Sequence, residues 1–169
     1  NIDTLVVLDD SIVRGTTLKE SILTMLSRLE PKRIIIVSSA PQIRFPDCYG
    51  IDMSKMGSFV AFSATIELFK ERNLFSVVEN IYERCLQELK KPLHEMRNIV
   101  KEIYDPFTPE EISEKIAHIV RPSNILPEVT VIYQTIEGLN ESCPDHTGDW
   151  YFTGNYPTNG GNRVALKAF

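Results

Sequence analysis

The sequence predicts an α/β fold in which a partial core built on a parallel sheet is followed by a mainly helical C-terminal extension. Two short apolar runs, residues 5–8 and 34–37, consist of β-favouring residues and are typical of strands buried on both faces. Apolar residues recur at helical spacing between them. The region from residue 92 to residue 127 is charged and interrupted by five prolines, which indicate helix and loop boundaries.

The core is expected within residues 1–55. Leu5–Leu8 forms the first strand, a helix runs up to Pro31, and Ile34–Val37 forms the second strand. A strand, a helix and a second buried strand make a parallel βαβ unit, whose crossover is expected to be right-handed. The helix is indicated by apolar positions at Leu18, Ile22, Met25, Leu26 and Leu29.

Residues 56–169 are expected to form the helical extension, with helices near residues 67–72, 77–91 and 110–118. Thr108 is placed to cap the third of these, because proline and two acids follow it. Residues 129–133 predict one further strand, and Thr135 opens a short helix.

The composition fits a globular chain with one hydrophobic core, and a cytoplasmic location is expected. The chain has 169 residues, is 43% hydrophobic and carries a net charge of -5. The acidic balance argues against nucleic-acid binding, and no apolar stretch is long enough to cross a membrane. Three cysteines, Cys48, Cys85 and Cys143, lie far apart and without metal-ligand spacing, so neither a disulfide framework nor a zinc site is indicated.

The residues with the clearest chemistry directly follow the first strand. Asp9 and Asp10 are followed by a short turn in which Gly15 permits a positive φ and hydroxyl groups precede a helix. Backbone N–H groups and a helix N-terminus attract phosphate, whereas carboxylates bind sugar hydroxyls or Mg²⁺. Ligands of open parallel sheets bind at this end of the strands, where residues 38–41 are also expected. A phosphorylated ribose with Mg²⁺ satisfies these features.

Three stretches resemble one family. Residues 6–17, Val-Val-Leu-Asp-Asp-Ser-Ile-Val-Arg-Gly-Thr-Thr, resemble the phosphoribosyl pyrophosphate motif of type I phosphoribosyltransferases. The residues of this motif resemble in particular those of the glutamine phosphoribosylpyrophosphate amidotransferases. Residues 39–53, Ser-Ala-Pro-Gln-Ile-Arg-Phe-Pro-Asp-Cys-Tyr-Gly-Ile-Asp-Met, and residues 152–157, Phe-Thr-Gly-Asn-Tyr-Pro, resemble two further stretches of the same family in the same order.

The resemblance implies the C-terminal part of a phosphoribosyltransferase domain. The parent enzyme would transfer ammonia from glutamine to phosphoribosyl pyrophosphate, giving 5-phosphoribosylamine in the first step of purine synthesis. The upstream glutaminase domain of that parent is expected to be absent here, so the fragment alone is expected to be inactive. Homo-oligomers are typical of the family. No catalytic residue is assigned.

The resemblance also implies the roles of the site residues. Asp9 and Asp10 would bind the ribose hydroxyls and Mg²⁺, and the residues after them would hold the 5-phosphate. The expected binding set for phosphoribosyl pyrophosphate is Asp9, Asp10, Ser11, Ile12, Val13, Arg14, Gly15, Thr16 and Thr17. Some relatives carry an iron–sulfur cluster, but Asp47 and Trp150-Tyr151 stand where its cysteines are expected, so no cluster is predicted.

Other interpretations stay open. A salvage transferase or a purine sensor could use the same phosphoribosyl fold, although a DNA-binding sensor would need a basic recognition helix. A phospho-receiver signalling domain also begins with an acidic pair, and Asp52 imitates its phosphoacceptor. Arg14 could be a surface residue, and Asp52 could cap a turn. Packing is the expected role of Phe45, Tyr49 and Tyr156, and no metal or nucleophile set is indicated for His94, His118 and His146.

Overall fold

The fold centres on a three-stranded parallel sheet. Residues 3–49, 53–146 and 148–169 are described by the computed structural model of the protein. The strands lie side by side in the order of the sequence, namely β1 (Thr4–Asp9), β2 (Arg33–Ser38) and β3 (Glu128–Tyr133). The predicted α/β fold with a parallel sheet is therefore confirmed, and the strand predicted near residue 130 is the third member of that sheet.

The register brings the ends of the three strands together. Asp9 pairs with Ser38, and Ser38 pairs with Tyr133, at the carboxyl end of the sheet. Side chains alternate between faces along each strand, so these three residues lie on the same face. The predicted binding residues Asp9 and Asp10 thus stand at the edge of the sheet where ligands of parallel sheets bind.

Helices account for much of the remaining chain. A π-helical turn (Leu18–Ile22) leads into α1 (Leu23–Ser27), which connects β1 to β2 as the apolar spacing predicts. Further helices are α2 (Val60–Glu71), α3 (Phe75–Glu88), α4 (Pro109–Val120), α5 (Ile136–Ser142), α6 (Trp150–Thr153) and α7 (Asn159–Ala168). Short 3-10 turns occur at Met56–Ser58, Leu93–Glu95 and Ile99–Ile103.

The start of α4 confirms the predicted cap. The Thr108 hydroxyl accepts a hydrogen bond from the Glu111 backbone N–H at 3.2 Å, and the Glu111 carboxylate accepts one from the Thr108 backbone N–H at 2.8 Å. This reciprocal pair is a capping box, which satisfies two N–H groups that the helix itself cannot bond. Pro109 occupies the first turn, where its missing N–H costs nothing.

The start of one helix and the role of one aromatic residue differ from expectation. Helix α2 begins at Val60, well before residue 67, because its first turns are apolar and buried and so lack the charged pattern that indicated the helix. Phe45 is buried and Tyr156 packs against the core, as expected. Tyr49 is 80% exposed, so the packing role expected for it is wrong.

The core lies on one face of the sheet. Ile34 and Ile36 of β2 are fully buried there, together with Leu23 of α1 and with Ile112 and Ile116 of α4. Two successive right-handed crossovers in one direction place both connections on the same face of a sheet. This arrangement explains why one face is covered.

The opposite face of the sheet is open. Val6 and Leu8 of β1 are 65% and 74% exposed, and Ile132 of β3 is 47% exposed. No helix within the described ranges has the length and apolar character to cross a membrane.

Candidate functional site

The site begins where β1 ends. The loop after β2 holds the backbone of both acids: the Ser39 N–H donates to the Asp9 carbonyl oxygen at 2.9 Å, and the Ala40 N–H donates to the Asp10 carbonyl oxygen at 3.1 Å. The Ser39 hydroxyl lies 3.2 Å from each of these two carbonyl oxygens. Backbone bonds from the loop after β2 therefore position both aspartates, and none of them uses a carboxylate oxygen.

The two carboxylates have no countercharge among the described residues. Within the described part of the chain, neither Asp9 nor Asp10 forms an ion pair with a lysine or arginine. Burial raises the pKa of Asp9 above its ordinary value; the backbone N–H of Asp10 partly offsets this, while the Asp10 side chain raises it further. Two unneutralised acids at one point attract a cation or hydrogen-bond donors.

The loop after the acids supplies free backbone N–H groups. The Ser11 N–H donates to the Asp10 carboxylate at 2.9 Å. Among the described residues, by contrast, none accepts a hydrogen bond from the backbone N–H groups of residues 12–17. Consecutive unbonded N–H groups carry partial positive charge and form a concave site for anions. The hydroxyls of Thr16 and Thr17 are exposed beside them.

This loop borders a cleft of about 590 Å³. The predicted residues Asp9 and Ser11 to Thr17 all line it, while Asp10 stands just outside. Arg14 is exposed at the cleft, so it is both a surface residue and a wall of the site. Ile12 is only 4% exposed, so its side chain belongs to the core and its backbone alone can meet a ligand.

Contacts with two helices hold the loop in shape. The Val13 carbonyl accepts a hydrogen bond at 2.8 Å from the Val60 N–H at the start of α2. Gly15 has φ of +71°, and a Cβ at this position would lie 2.7 Å from Val120 of α4. Glycine is therefore required twice, by the backbone conformation and by the close approach of the helix.

The donor set fits Mg²⁺ as a partly solvated ion. Magnesium prefers oxygen ligands and usually keeps several waters while one or two carboxylates and substrate phosphates complete its shell. Asp9 and Asp10 supply two such carboxylates next to the anion loop. No group of three or more His, Cys, Asp or Glu side chains suitable for a metal occurs among the described residues, so the protein offers these two acids and not a complete cage.

Two features near the site depend on the register of the sheet. Ser39 was expected at this end of the sheet, but its clamp on the acidic pair depends on strand register. Tyr133 ends β3, and its buried hydroxyl has no partner among the described residues. Burial and, in addition, the nearby Asp9 carboxylate raise the pKa of Tyr133. Its only sequence signal was its position at the end of a predicted strand.

Other candidate residues lie elsewhere. His94 and His118 are exposed and belong to different helical elements, Leu93–Glu95 and α4, and His146 bonds to Asn140 at 2.6 Å. Asp52, considered as a cap or a phosphoacceptor, lies outside the described residues. The prediction that no iron–sulfur cluster is present stays a prediction.

Comparisons with known proteins identify a partial relationship. The chain is 43% identical over 63 residues to the amidophosphoribosyltransferase of Haemophilus influenzae, and 41% identical over 63 residues to that of Escherichia coli. Each match covers 37% of this chain and 12% of the relative. The Saccharomyces cerevisiae amidophosphoribosyltransferase is 34% identical over 84 residues, which cover 47% of this chain and 16% of the relative.

The matched region is thus a small part of each relative's length. No family model matches the chain, and no solved structure matches it. The relatives share one name, and the resemblance carried by the sequence motifs is confirmed to this extent. Over 35–47% of its length, the chain is similar to the amidophosphoribosyltransferases, in a manner consistent with a C-terminal piece of their phosphoribosyltransferase domain.

Proposed function

We propose that this chain carries the phosphoribosyl pyrophosphate half-site of an amidophosphoribosyltransferase. The observation that carries the proposal is the junction after β1, where two unpaired carboxylates adjoin a loop of unbonded backbone N–H groups. The carboxylates suit ribose hydroxyls and Mg²⁺, and the loop suits a phosphate. Few ligands combine these groups as closely as a phosphorylated ribose does.

The parent reaction would displace pyrophosphate from C1 of the ribose with ammonia derived from glutamine. Breaking that bond places positive charge on the ribose and negative charge on the leaving pyrophosphate. Mg²⁺, when bound, would stabilise the leaving group. Asp9 and Asp10 would accept hydrogen bonds from the ribose 2- and 3-hydroxyls, and the backbone of residues 12–17 would hold the 5-phosphate. The contribution of these residues is positioning and electrostatic stabilisation.

This proposal leaves glutamine cleavage to an upstream glutaminase domain of the parent, and it places the reaction at the first step of purine synthesis in the cytoplasm. A homo-oligomeric parent belongs to the same proposal. The chain alone is expected to bind the ribose phosphate weakly and to turn over no substrate.

Isothermal titration with ribose 5-phosphate and with phosphoribosyl pyrophosphate, each with and without Mg²⁺, tests the proposal. Binding of both, strengthened by Mg²⁺ for the pyrophosphate compound, is expected. Asp9→Asn combined with Asp10→Asn is expected to abolish binding, because both oxygen acceptors lose their charge. Asp105→Asn, at an exposed acid outside the cleft, is the matched control and should bind as the unaltered chain does.

Acetyl phosphate serves as the comparison reagent for a receiver domain. Covalent phosphorylation at Asp52 would replace the proposal with the signalling interpretation. Unchanged affinity in the Asp9→Asn, Asp10→Asn chain would remove the acidic pair from the site.

A further inference from the structure

Parts of the second and third stretches that resemble the family, residues 39–53 and 152–157, lie together beside a cavity that is separate from the phosphoribosyl site. The backbone N–H groups of Arg44 and Phe45 both donate to the Tyr151 carbonyl oxygen, at 2.8 and 3.0 Å. The Tyr156 hydroxyl donates to the Pro46 carbonyl oxygen at 2.7 Å. These bonds hold residues 44–46 against the segment around α6. Together the two segments form one wall of the cavity.

Arg44 is the charged group of that wall. Its Nε and Nη2 donate to the Gln42 side-chain oxygen at 3.1 and 2.7 Å, and its guanidinium lies 4.9 Å from the centre of the Tyr104 ring. Gln42 is itself held, because its amide donates at 2.8 Å to Pro109 and to Ser113 of α4. All these contacts are with uncharged groups, so they fix the guanidinium in place without neutralising it.

The Nη1 group of Arg44 has no hydrogen-bond partner within the described ranges. Burial lowers the pKa of Arg44, and the opposing contribution comes from Tyr104 and from no carboxylate. Arginine keeps its charge under any such shift near neutral pH. Arg44 is therefore a fixed cation, and its free edge can bind a carboxylate in bidentate fashion.

The cavity beside Arg44 has a volume of about 510 Å³ and runs along β3. Eight consecutive residues of the chain, 130–137, line it, and the first four belong to β3. Side chains of consecutive strand residues alternate between faces, so a cavity that touches all four lies along the edge of the strand. No further strand pairs with this edge among the described residues.

The unpaired backbone groups of this edge follow from the register. The Glu128 N–H donates to Lys32, directly before β2, and the Gln134 N–H donates to Ser38 at its end. The even-numbered residues between them therefore also direct their backbone groups toward β2. Val131 and Tyr133 accordingly direct their N–H and C=O groups away from the sheet, into the cavity. Unpaired ladder groups of an edge strand are a template for an added extended chain.

We propose that this cavity binds a short extended peptide that ends in a carboxylate. The peptide backbone would pair with Val131 and Tyr133 as an added strand, and its terminal carboxylate would bind the free edge of Arg44. Phe152 and Pro41 supply apolar contact for its side chains. Glu110, Glu114 and Glu137 also line the cavity, but they are solvent-exposed, and salt screens exposed charges more than the half-buried Arg44.

Three tripeptides and propionate test this proposal on the full chain by NMR titration at physiological salt. N-acetyl-Ala-Ala-Ala with a free carboxylate is expected to bind at least tenfold more tightly than the same peptide with a C-terminal amide, because only the former pairs with Arg44. Methylation of its middle backbone nitrogen is expected to weaken it by a similar factor, since that N–H can no longer pair with β3. Propionate is expected to bind far more weakly than the peptide.

Arg44→Gln is expected to remove the preference for the carboxylate over the amide. Arg97→Gln, at an exposed arginine on another surface, should leave the preference intact. The ligand comparisons need no variant, so they stand even if Arg44→Gln fails to fold. Equal binding of acid and amide, equal binding of propionate and peptide, or no shift of any resonance at about 5 mM peptide would each overturn the proposal.

Discussion

At the scale of single residues, Gly15 combines requirements of the site and of the core. The sequence indicated glycine as a permissive residue in a phosphate-sized turn, and its φ of +71° agrees with that reason. The second reason was invisible in the sequence. Val120 arrives from a distant helix and leaves no room for a Cβ, while Val60 would lie at contact distance from it.

Gly15→Ala is expected to lower the free energy of unfolding by about 2–4 kcal/mol, because the added methyl group clashes with the rigid Val120 side chain and alanine is strained at positive φ. Thermal or denaturant unfolding measures the loss. Gly57→Ala is the control, since nothing lies within 4 Å of its added Cβ and its φ is not positive. Equal stability of the two variants would contradict the tight approach of α4 to the loop.

Glu88 provides a residue-scale prediction on pH. It is 7% exposed, and burial alone would raise its pKa. Hydrogen bonds from Lys91 at 2.6 Å and from the Arg97 N–H at 2.8 Å outweigh burial and lower the pKa of Glu88 below its ordinary value. A carboxyl group whose pKa is lower in the folded chain stabilises the fold above its unfolded pKa, and this stability is lost as the pH falls through the folded pKa.

Glu88→Gln is therefore expected to reduce stability by about 1–3 kcal/mol at pH 7, because it weakens two hydrogen bonds to a charged group. The difference from the unaltered chain should shrink as the pH falls below the unfolded carboxyl value. Denaturant unfolding at several pH values measures it. Glu83→Gln, at an exposed position of the same helix, is the matched control. A stability loss that does not depend on pH would refute the assignment.

At the scale of secondary-structure elements, local sequence rules accounted for caps and strands better than for helix lengths. Thr108 was predicted as a helix cap from its side chain and neighbours, and Thr135 was predicted to open a short helix; both side chains accept a backbone N–H bond. The beginning of α2 escaped this reasoning. Its first turns are buried on several sides by tertiary neighbours, so no amphipathic pattern marks them.

Thr108→Ala tests the capping box of α4. The expected loss is about 1 kcal/mol, since the variant leaves the Glu111 N–H without its acceptor. Thermal unfolding followed by circular dichroism is a suitable measurement. Ser76→Ala, at an exposed position near the start of α3, should leave stability nearly unchanged. A comparable loss in both variants would show that the hydroxyl of Thr108 adds nothing specific.

At the scale of the whole molecule, the sheet is covered on one face only. The apolar runs of β1 and β2 led us to expect strands buried on both faces, and that expectation fails for β1, where Val6 and Leu8 are open to solvent. Strand order explains the difference. A sheet that grows in one direction by right-handed crossovers receives all its helices on the same face.

The open face predicts self-association of the isolated chain, because exposed contiguous apolar surface favours contact with a second copy. Val6→Thr combined with Leu8→Lys is expected to shift the chain toward monomer in sedimentation velocity across a concentration series. Leu126→Lys is the control: Leu126 is 95% exposed but belongs to a loop and not to the sheet. An unaltered chain that stays monomeric at all concentrations would disprove the prediction.

The sequence by itself determined the parallel βαβ unit, the acidic pair at its carboxyl end, the turn after it and the helix caps. These features depend on residues that are close together in the chain. The spacing of such residues directly indicates whether they form a strand, a helix or a turn. Only the tertiary structure decided that Ser39 bonds to the backbone of the acidic pair, that Tyr133 shares a face of the sheet with Asp9, that Val120 excludes a side chain at Gly15 and that Arg44 borders the open edge of β3. Each of these depends on strand order, register or the approach of a distant helix, which local spacing does not encode.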